Sequence, residues 1–169
     1  LDDLVASGRE DEALQWAPRR HGKQGALLYG RDRHGRFELV VHEEGDLWYL
    51  DFPVVMVDWW CANAYAAWDA ERSGRQWRLP AEIEWEKAAR GTDGRIYPWG
   101  DEFDQKRANC QGLQNGTSPV RDFFGGRSPY HCLNMAGNVH EWTSTVDSVT
   151  GQKIVMGGAH RSYVTNLRT

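Results

Sequence analysis

Nine tryptophans set against only 32 Leu, Ile, Val and Phe in 169 residues decide what this chain can use as a core. So low an aliphatic share, joined to a high net charge, marks disorder. Here 20 Lys and Arg face 24 Asp and Glu, and the net charge is only -4. Each buried aromatic ring removes about 150–250 Å² from water, so a core of Trp, Tyr and Ala is feasible. The length fits a single domain over residues 1–169. The mild acidity argues against nucleic acid as a partner, which needs clustered Lys and Arg. No apolar run approaches the roughly 18–20 residues of a membrane span, and the N-terminus lacks a charged-then-apolar leader. Cys61, Cys110 and Cys132 lie far apart with no CxxC pair. That argues against a zinc cage or disulfide framework and points to a reducing compartment, the cytoplasm being favoured.

The pattern along the chain predicts an α+β fold with two main helices and an irregular, glycine-rich second half. Ser7-Gly-Arg-Glu10 reads as a capping box before a short helix ending at Trp16. Runs at 27–30, 37–42 and 46–50 read as strands of a hairpin insertion spanning 27–50. Asp58 caps the first main helix, with Trp60, Ala64, Ala67, Trp68 and Glu71 at helical spacing and Gly74 as its stop. The second starts at Pro80 and runs to Arg90, its Glu82, Glu84 and Glu86 complementing the positive end of the helix. Short strands are expected around Tyr97-Pro-Trp-Gly, Ser118-Pro-Val and Ile154-Val-Met.

Three strings carry chemistry: Arg78-Leu-Pro-Ala-Glu-Ile-Glu-Trp-Glu86, Tyr97-Pro-Trp-Gly-Asp-Glu102 and Asn134-Met-Ala-Gly-Asn-Val-His-Glu-Trp-Thr143. The first is most simply a dipole-complemented helix with a buried Trp85. In the third, an Asn side-chain oxygen, two carbonyls of a glycine turn and a carboxylate form a hard-oxygen set of the kind that calcium takes. Asn134, Gly137, Val139 and Glu141 are spaced to supply it. The alternative is a glycine turn with Glu141 paired to an Arg, since calcium loops usually carry more carboxylates. The six histidines show no i, i+4 helical pair with a third ligand, so no zinc or iron site is visible.

Taken in order, these strings resemble the formylglycine-generating enzyme family, also called sulfatase-modifying factors. So do Val54 to Trp68, Ala108-Asn109, Thr117-Ser-Pro-Val120 and Gly157-Gly158. The likeness covers roughly 54–169, and the segment from Tyr29 to Phe37 is similar to the version found behind bacterial Ser/Thr protein kinases. The resemblance implies a variant of the C-type lectin fold, with structural calcium at Asn134, Gly137, Val139 and Glu141. A second family calcium site would use Asn109 and the Cys110 carbonyl, with further ligands in a loop that is short here between Gly112 and Gly116. The resemblance also implies a domain cut at both ends and belonging to a larger chain.

The family's oxidase binds copper through two cysteines after the Gly-Gly pair, and here no cysteine follows Cys132. Alignment on His160-Arg-Ser-Tyr163 puts Val164 at the second cysteine position. Alignment on Gly157-Gly158 puts Ser162 and Leu167 at the two positions. Copper(I) selects soft thiolates, so copper is not expected. Ala81 stands where the family usually has a Thr helix cap. The expected function is a non-oxidase ligand- or protein-binding module, kinase-linked or akin to retroelement-diversified lectin-fold variable proteins. Its ligand surface would comprise His160, Arg161, Ser162, Tyr163, Thr165 and Asn166. The alternatives are an oxygen-dependent formylglycine-generating oxidoreductase, or the partner domain of an iron-dependent sulfoxide synthase. Exposed polar residues are common on any surface, so a polar strand end without a partner is the plain reading of that segment.

Overall fold

The computed structural model describes residues 1–19, 25–39 and 49–169. The chain divides into two compact units, one of Leu1–Leu50 with Val54–Gly74, the other of Asp51–Pro53 with Arg75–Thr169.

In the first unit, helix α1 (Asp2–Ala6) stops at Ser7, followed by Gly8 at φ +76°, and α2 (Glu10–Trp16) follows. The capping box expected at Ser7 does not form. Its hydroxyl donates to the Leu4 carbonyl at 2.9 Å, closing α1 instead of opening α2. Arg9 is the residue before α2, and its guanidinium grips Glu12 through two bonds of 2.8 Å. Strands β1 (Tyr29–Arg31) and β2 (Phe37–Leu39) pair antiparallel, Tyr29 opposite Leu39 and Arg31 opposite Phe37. Asp32 Oδ1 accepts from the Arg36 and His34 amides, which holds the turn and keeps its carboxyl below the usual range. The hairpin is tied to the helices by Phe37 N–H on Asp2 and by Arg31 on Glu10, both at 2.8 Å. The expected strand residues 40–42 and 46–48 lie outside the described residues, and Tyr49 and Leu50 form no strand.

Helix α3 (Trp59–Ser73) has the bounds its sequence predicts: the Asp58 carboxylate accepts from Cys61 N–H at 2.8 Å, and Gly74 ends it at φ +68°. None of its residues is fully buried.

In the second unit, α4 (Glu82–Arg90) begins two residues later than Pro80. The Pro80 carbonyl accepts from Ser144 N–H at 2.8 Å, outside any helical pattern. Ala81 holds the cap position without a side-chain oxygen. Two substitutes fill in: Thr145 Oγ1 accepts from Glu82 N–H at 2.9 Å, and Glu84 reaches back to Ala81 N–H at 2.8 Å. Arg78 clamps Glu84 through two 2.7 Å bonds and holds its carboxyl down at about 2. Strands β3 (Glu141–Val146) and β4 (Lys153–Met156) form an antiparallel pair with a register shift between Trp142 and Val146. Around Tyr97 the expected strand reduces to one bridge to Gly100, and 118–120 forms no strand, because the Ser118 amide bonds the Asn138 side chain instead of a neighbouring strand.

Two apolar clusters anchor this unit. Trp85, Ala89 and Met135 form one, and Tyr97, Ala108, Cys110, Ala136 and Leu167 the other. The core of Trp, Tyr and Ala expected from composition is present in these clusters, but among the described tryptophans only Trp85 is fully buried, at 2% exposure, and Trp60 and Trp77 are exposed. An indole is too large to be wholly covered without many neighbours. Asn109, Asn138, Ser118 and Thr143 occupy fully buried positions instead.

Candidate functional site

The segment 134–141 runs from the Met135 cluster into β3. Asn134 and Asn138 adopt left-handed conformations, φ +57° and +65°, on either side of Gly137 at +82°. Asn tolerates that region better than other side chains, so an Asn-rich string around a glycine is the local signal for this backbone. The Asn134 amide donates to the Val120 carbonyl at 2.8 Å, while its Oδ1 is buried and accepts nothing among the described residues. Gly137 N–H reaches the Gly157 carbonyl at 2.7 Å, and Asn138 N–H reaches that of Asn109 at 2.8 Å. The carbonyls of Gly137 and Val139 accept no bond among the described residues. Glu141 pairs with Met156 in the sheet and takes the Trp85 indole N–H at 2.8 Å. Its carboxyl is pushed up by burial, opposed by that indole bond. The alternative partner expected for it, an Arg, is absent among the described residues.

This donor set fits a hard divalent cation. All four atoms are oxygens, one is a buried acceptor without a donor, and another is a desolvated carboxylate with no cationic neighbour among the described residues. Such groups are costly to bury uncompensated. The second family position is less complete. Asn109 Oδ1 is also buried and unpartnered, but the Cys110 carbonyl already accepts Leu113 N–H at 3.1 Å, and the Asn109 amide pins the short loop at Gly116.

Behind this segment lies a buried polar network that periodicity could not reveal, because its members are far apart in sequence. Asn138 Oδ1 accepts Ser118 N–H at 2.8 Å and its amide donates to the Ser118 carbonyl at 3.1 Å. The Asn109 amide completes the cluster at 3.4 Å from Asn138.

The residues expected to form a ligand surface, 160–166, lie on a turn leading into a 3₁₀ helix (Val164–Leu167), not on a strand end. Its frame is made by main chain. His160 N–H donates to the Asn138 carbonyl at 2.9 Å, and the His160 and Ser162 carbonyls accept from Gly112 and Gln111. Ser162 Oγ accepts Ala159 N–H at 2.9 Å, which makes it part of the frame. Arg161, Tyr163, Thr165 and Asn166 are exposed, Tyr163 at 75%. Leu167, fully buried, anchors the end of the segment in the apolar cluster.

None of the three cysteines is in a disulfide. Cys61 lies on α3, Cys132 packs against the Trp85 cluster, and Cys110 is fully buried with its thiol pushed up by desolvation.

The chain matches the sulfatase-modifying factor enzyme 1-like domain over residues 41–169. It is 41% identical over 122 residues to inactive C-alpha-formylglycine-generating enzyme 2 of Bos taurus, covering 65% of this chain and 38% of that protein. It is 40% identical over 95 residues to serine/threonine-protein kinase pkn1 of Chlamydia caviae, covering 56% of this chain and 14% of the kinase. It thus spans well under half the length of these relatives. In fold it is similar to PvdO from Pseudomonas aeruginosa, with a TM-score of 0.62 over 96% of this chain and 69% of the other, at 23% identity. The α+β architecture and the ordered motifs from Val54 to Gly158 are those of one family, and with most of its length inside the matched region the chain belongs to the sulfatase-modifying factor enzyme 1-like domain family.

Proposed function

We propose that this chain is a non-oxidase member of its family, a calcium-stabilised module that binds a protein or peptide ligand within a longer bacterial protein, kinase-linked by preference. One observation carries the reading: no residue that either alignment places at the oxidase's two cysteine positions supplies a thiolate. Ser162 is spent on Ala159, Val164 packs against the apolar cluster, and Leu167 lies inside it. Copper(I) needs soft ligands, and Cys110 is sealed in that same cluster. Relatives named as an inactive enzyme and as a Ser/Thr kinase fit that direction, while a relative named formylglycine-generating enzyme matches at similar identity, so the cysteine positions carry the distinction. The ligand surface is the exposed set Arg161, Tyr163, Thr165 and Asn166, with His160 beside it. An aromatic ring among adaptable polar groups suits protein recognition.

Calcium is proposed at Asn134 Oδ1, the Gly137 and Val139 carbonyls and the Glu141 carboxylate, as a structural ion that ties the turn to β3. Incubation with a Cys-containing sulfatase peptide and copper is expected to yield no aldehyde, and copper-dependent turnover would overturn the non-oxidase reading. Chelation is expected to lower the melting temperature, and Glu141→Gln to shrink that effect. A melt indifferent to both would remove the calcium.

A further inference from the structure

A cleft of about 340 Å³ opens in the second unit, and none of its lining residues belongs to the segments 134–141 or 160–166. Its lining includes Arg95, Arg107, Arg127, His131, Ser128 and Trp99, and no Asp or Glu. A guanidinium carries five N–H donors in a fixed fork. Arg95 spends three, two on Asp93 at 2.9 and 2.6 Å and one on the Pro98 carbonyl at 3.2 Å. Arg107 spends two, on Asp104 at 3.0 Å and on the Gly125 carbonyl at 2.8 Å. Arg127 lies over the Phe124 ring at 4.4 Å and has no carboxylate partner among the described residues. Ser128 Oγ accepts the amides of Tyr130 and Cys132, each at 3.2 Å, so its own proton is left to donate.

The wall is therefore rich in donors and poor in acceptors, and two of its guanidiniums are already held by carboxylates that lie outside the lining. Donors fixed before a ligand arrives bind it at lower entropic cost. His131 holds φ +64° within a closed turn, Ser128 N–H on the Cys132 carbonyl and His131 N–H on that of Ser128, both at 2.9 Å, which fixes the backbone of this part of the wall.

We propose that this cleft binds a phosphomonoester group. The Arg127 fork, held by no carboxylate among the described residues, matches the oxygens of phosphate bidentately, and the donors that Arg95 and Arg107 have not spent on Asp93, Asp104 and carbonyls lie in the same lining. The group belongs to a phosphorylated side chain of a polypeptide or to a free phosphorylated metabolite.

The test is calorimetric titration of the full chain with inorganic phosphate, O-phosphoserine, a phosphoserine peptide and its unphosphorylated counterpart. Saturable binding of the phosphorylated probes alone is expected, weakening as sodium chloride screens the charges. Arg127→Gln should weaken it about tenfold or more, the scale of one lost charge-assisted bond, with an unchanged melt because the side chain is exposed. Arg107→Gln should do likewise, and a melt of each variant reports its folding. Tighter binding of the peptide than of O-phosphoserine assigns the polypeptide source, and the reverse assigns the metabolite. Binding of none of the phosphorylated probes, equal binding of the unphosphorylated peptide, or affinity untouched in both folded variants would overturn the proposal.

Discussion

Gly137→Ala tests whether the glycine turn is held by backbone contact or merely by conformational preference. At φ +82° an alanine would carry left-handed strain of about 1–2 kcal/mol. Its Cβ would also stand 2.3 Å from the Asn109 carbonyl oxygen and 3.1 Å from the carbonyl carbon. Neither atom is a side chain that can rotate away. The Asn109 carbonyl that must move is the acceptor for Asn138 N–H, and Gly137 itself donates to Gly157. Leaving one such buried group unsatisfied costs about 1–3 kcal/mol. The total is about 2–5 kcal/mol, or roughly 10 °C in melting temperature for a chain this size. Gly151→Ala is the control, because its φ is +71° and nothing lies within 4 Å of the added methyl. It should lose only the strain, about 1–2 kcal/mol. Urea unfolding in the presence of a chelator, with equal m-values, reads the difference without any contribution from bound metal. Equal losses for the two variants would refute the argument, since the carbonyl contact would then carry no energy.

Ala81→Thr should stabilise the second unit by about 1 kcal/mol by restoring a side-chain cap, and Thr145→Val should cost a similar amount by orphaning Glu82 N–H; urea midpoints decide both. Leu167→Ala should cost about 2–5 kcal/mol as a cavity in the apolar cluster and speed hydrogen exchange at the His160 amide, whose segment it anchors. Burial pushes the Glu141 carboxyl up, so the metal-free protein has this group's full contribution below the ordinary carboxylate range and loses it as pH rises through the folded value. Calcium requires the charged form, so the chelator-sensitive part of the melting temperature should grow over the same pH interval, and Glu141→Gln should flatten both slopes.

Helix bounds were readable where a single residue decides them. Asp58 and Gly74 set α3 because one supplies an acceptor and the other a left-handed backbone at no steric cost. Pro80 misplaced the start of α4, since its fixed φ also suits an extended residue, and Ser144, far along the chain, claims its carbonyl. Ser7 misled in the same way, because a hydroxyl that can cap the next helix can equally close the previous one. The oxygen-bearing string 134–141 was visible as a motif, but its support was not. Trp85 on Glu141 and Asn109 on Asn138 join residues far apart in sequence, and no local pattern encodes them.

The residues proposed to meet a ligand divide into frame and display. Ser162 fixes the turn through Ala159, and the main chain at 160 and 162 is bonded to Asn138, Gly112 and Gln111. The other side of that frame is the buried Asn109, Ser118 and Asn138 network, which gives directional bonds where a small apolar core would give only contact area. Because the frame draws on backbone groups, the Arg161 and Tyr163 side chains hold nothing together among the described residues. Thr165 bonds only Asn166 beside it, at 3.0 Å. Their replacement should therefore alter recognition at little cost to stability, within about 0.5 kcal/mol as for ordinary surface positions. Ser162→Ala, on the same segment, should cost stability first, because it removes the acceptor for a half-buried amide. Side chains displayed on a main-chain frame of this kind can be exchanged without refolding, which is the property that the proposed binding role requires.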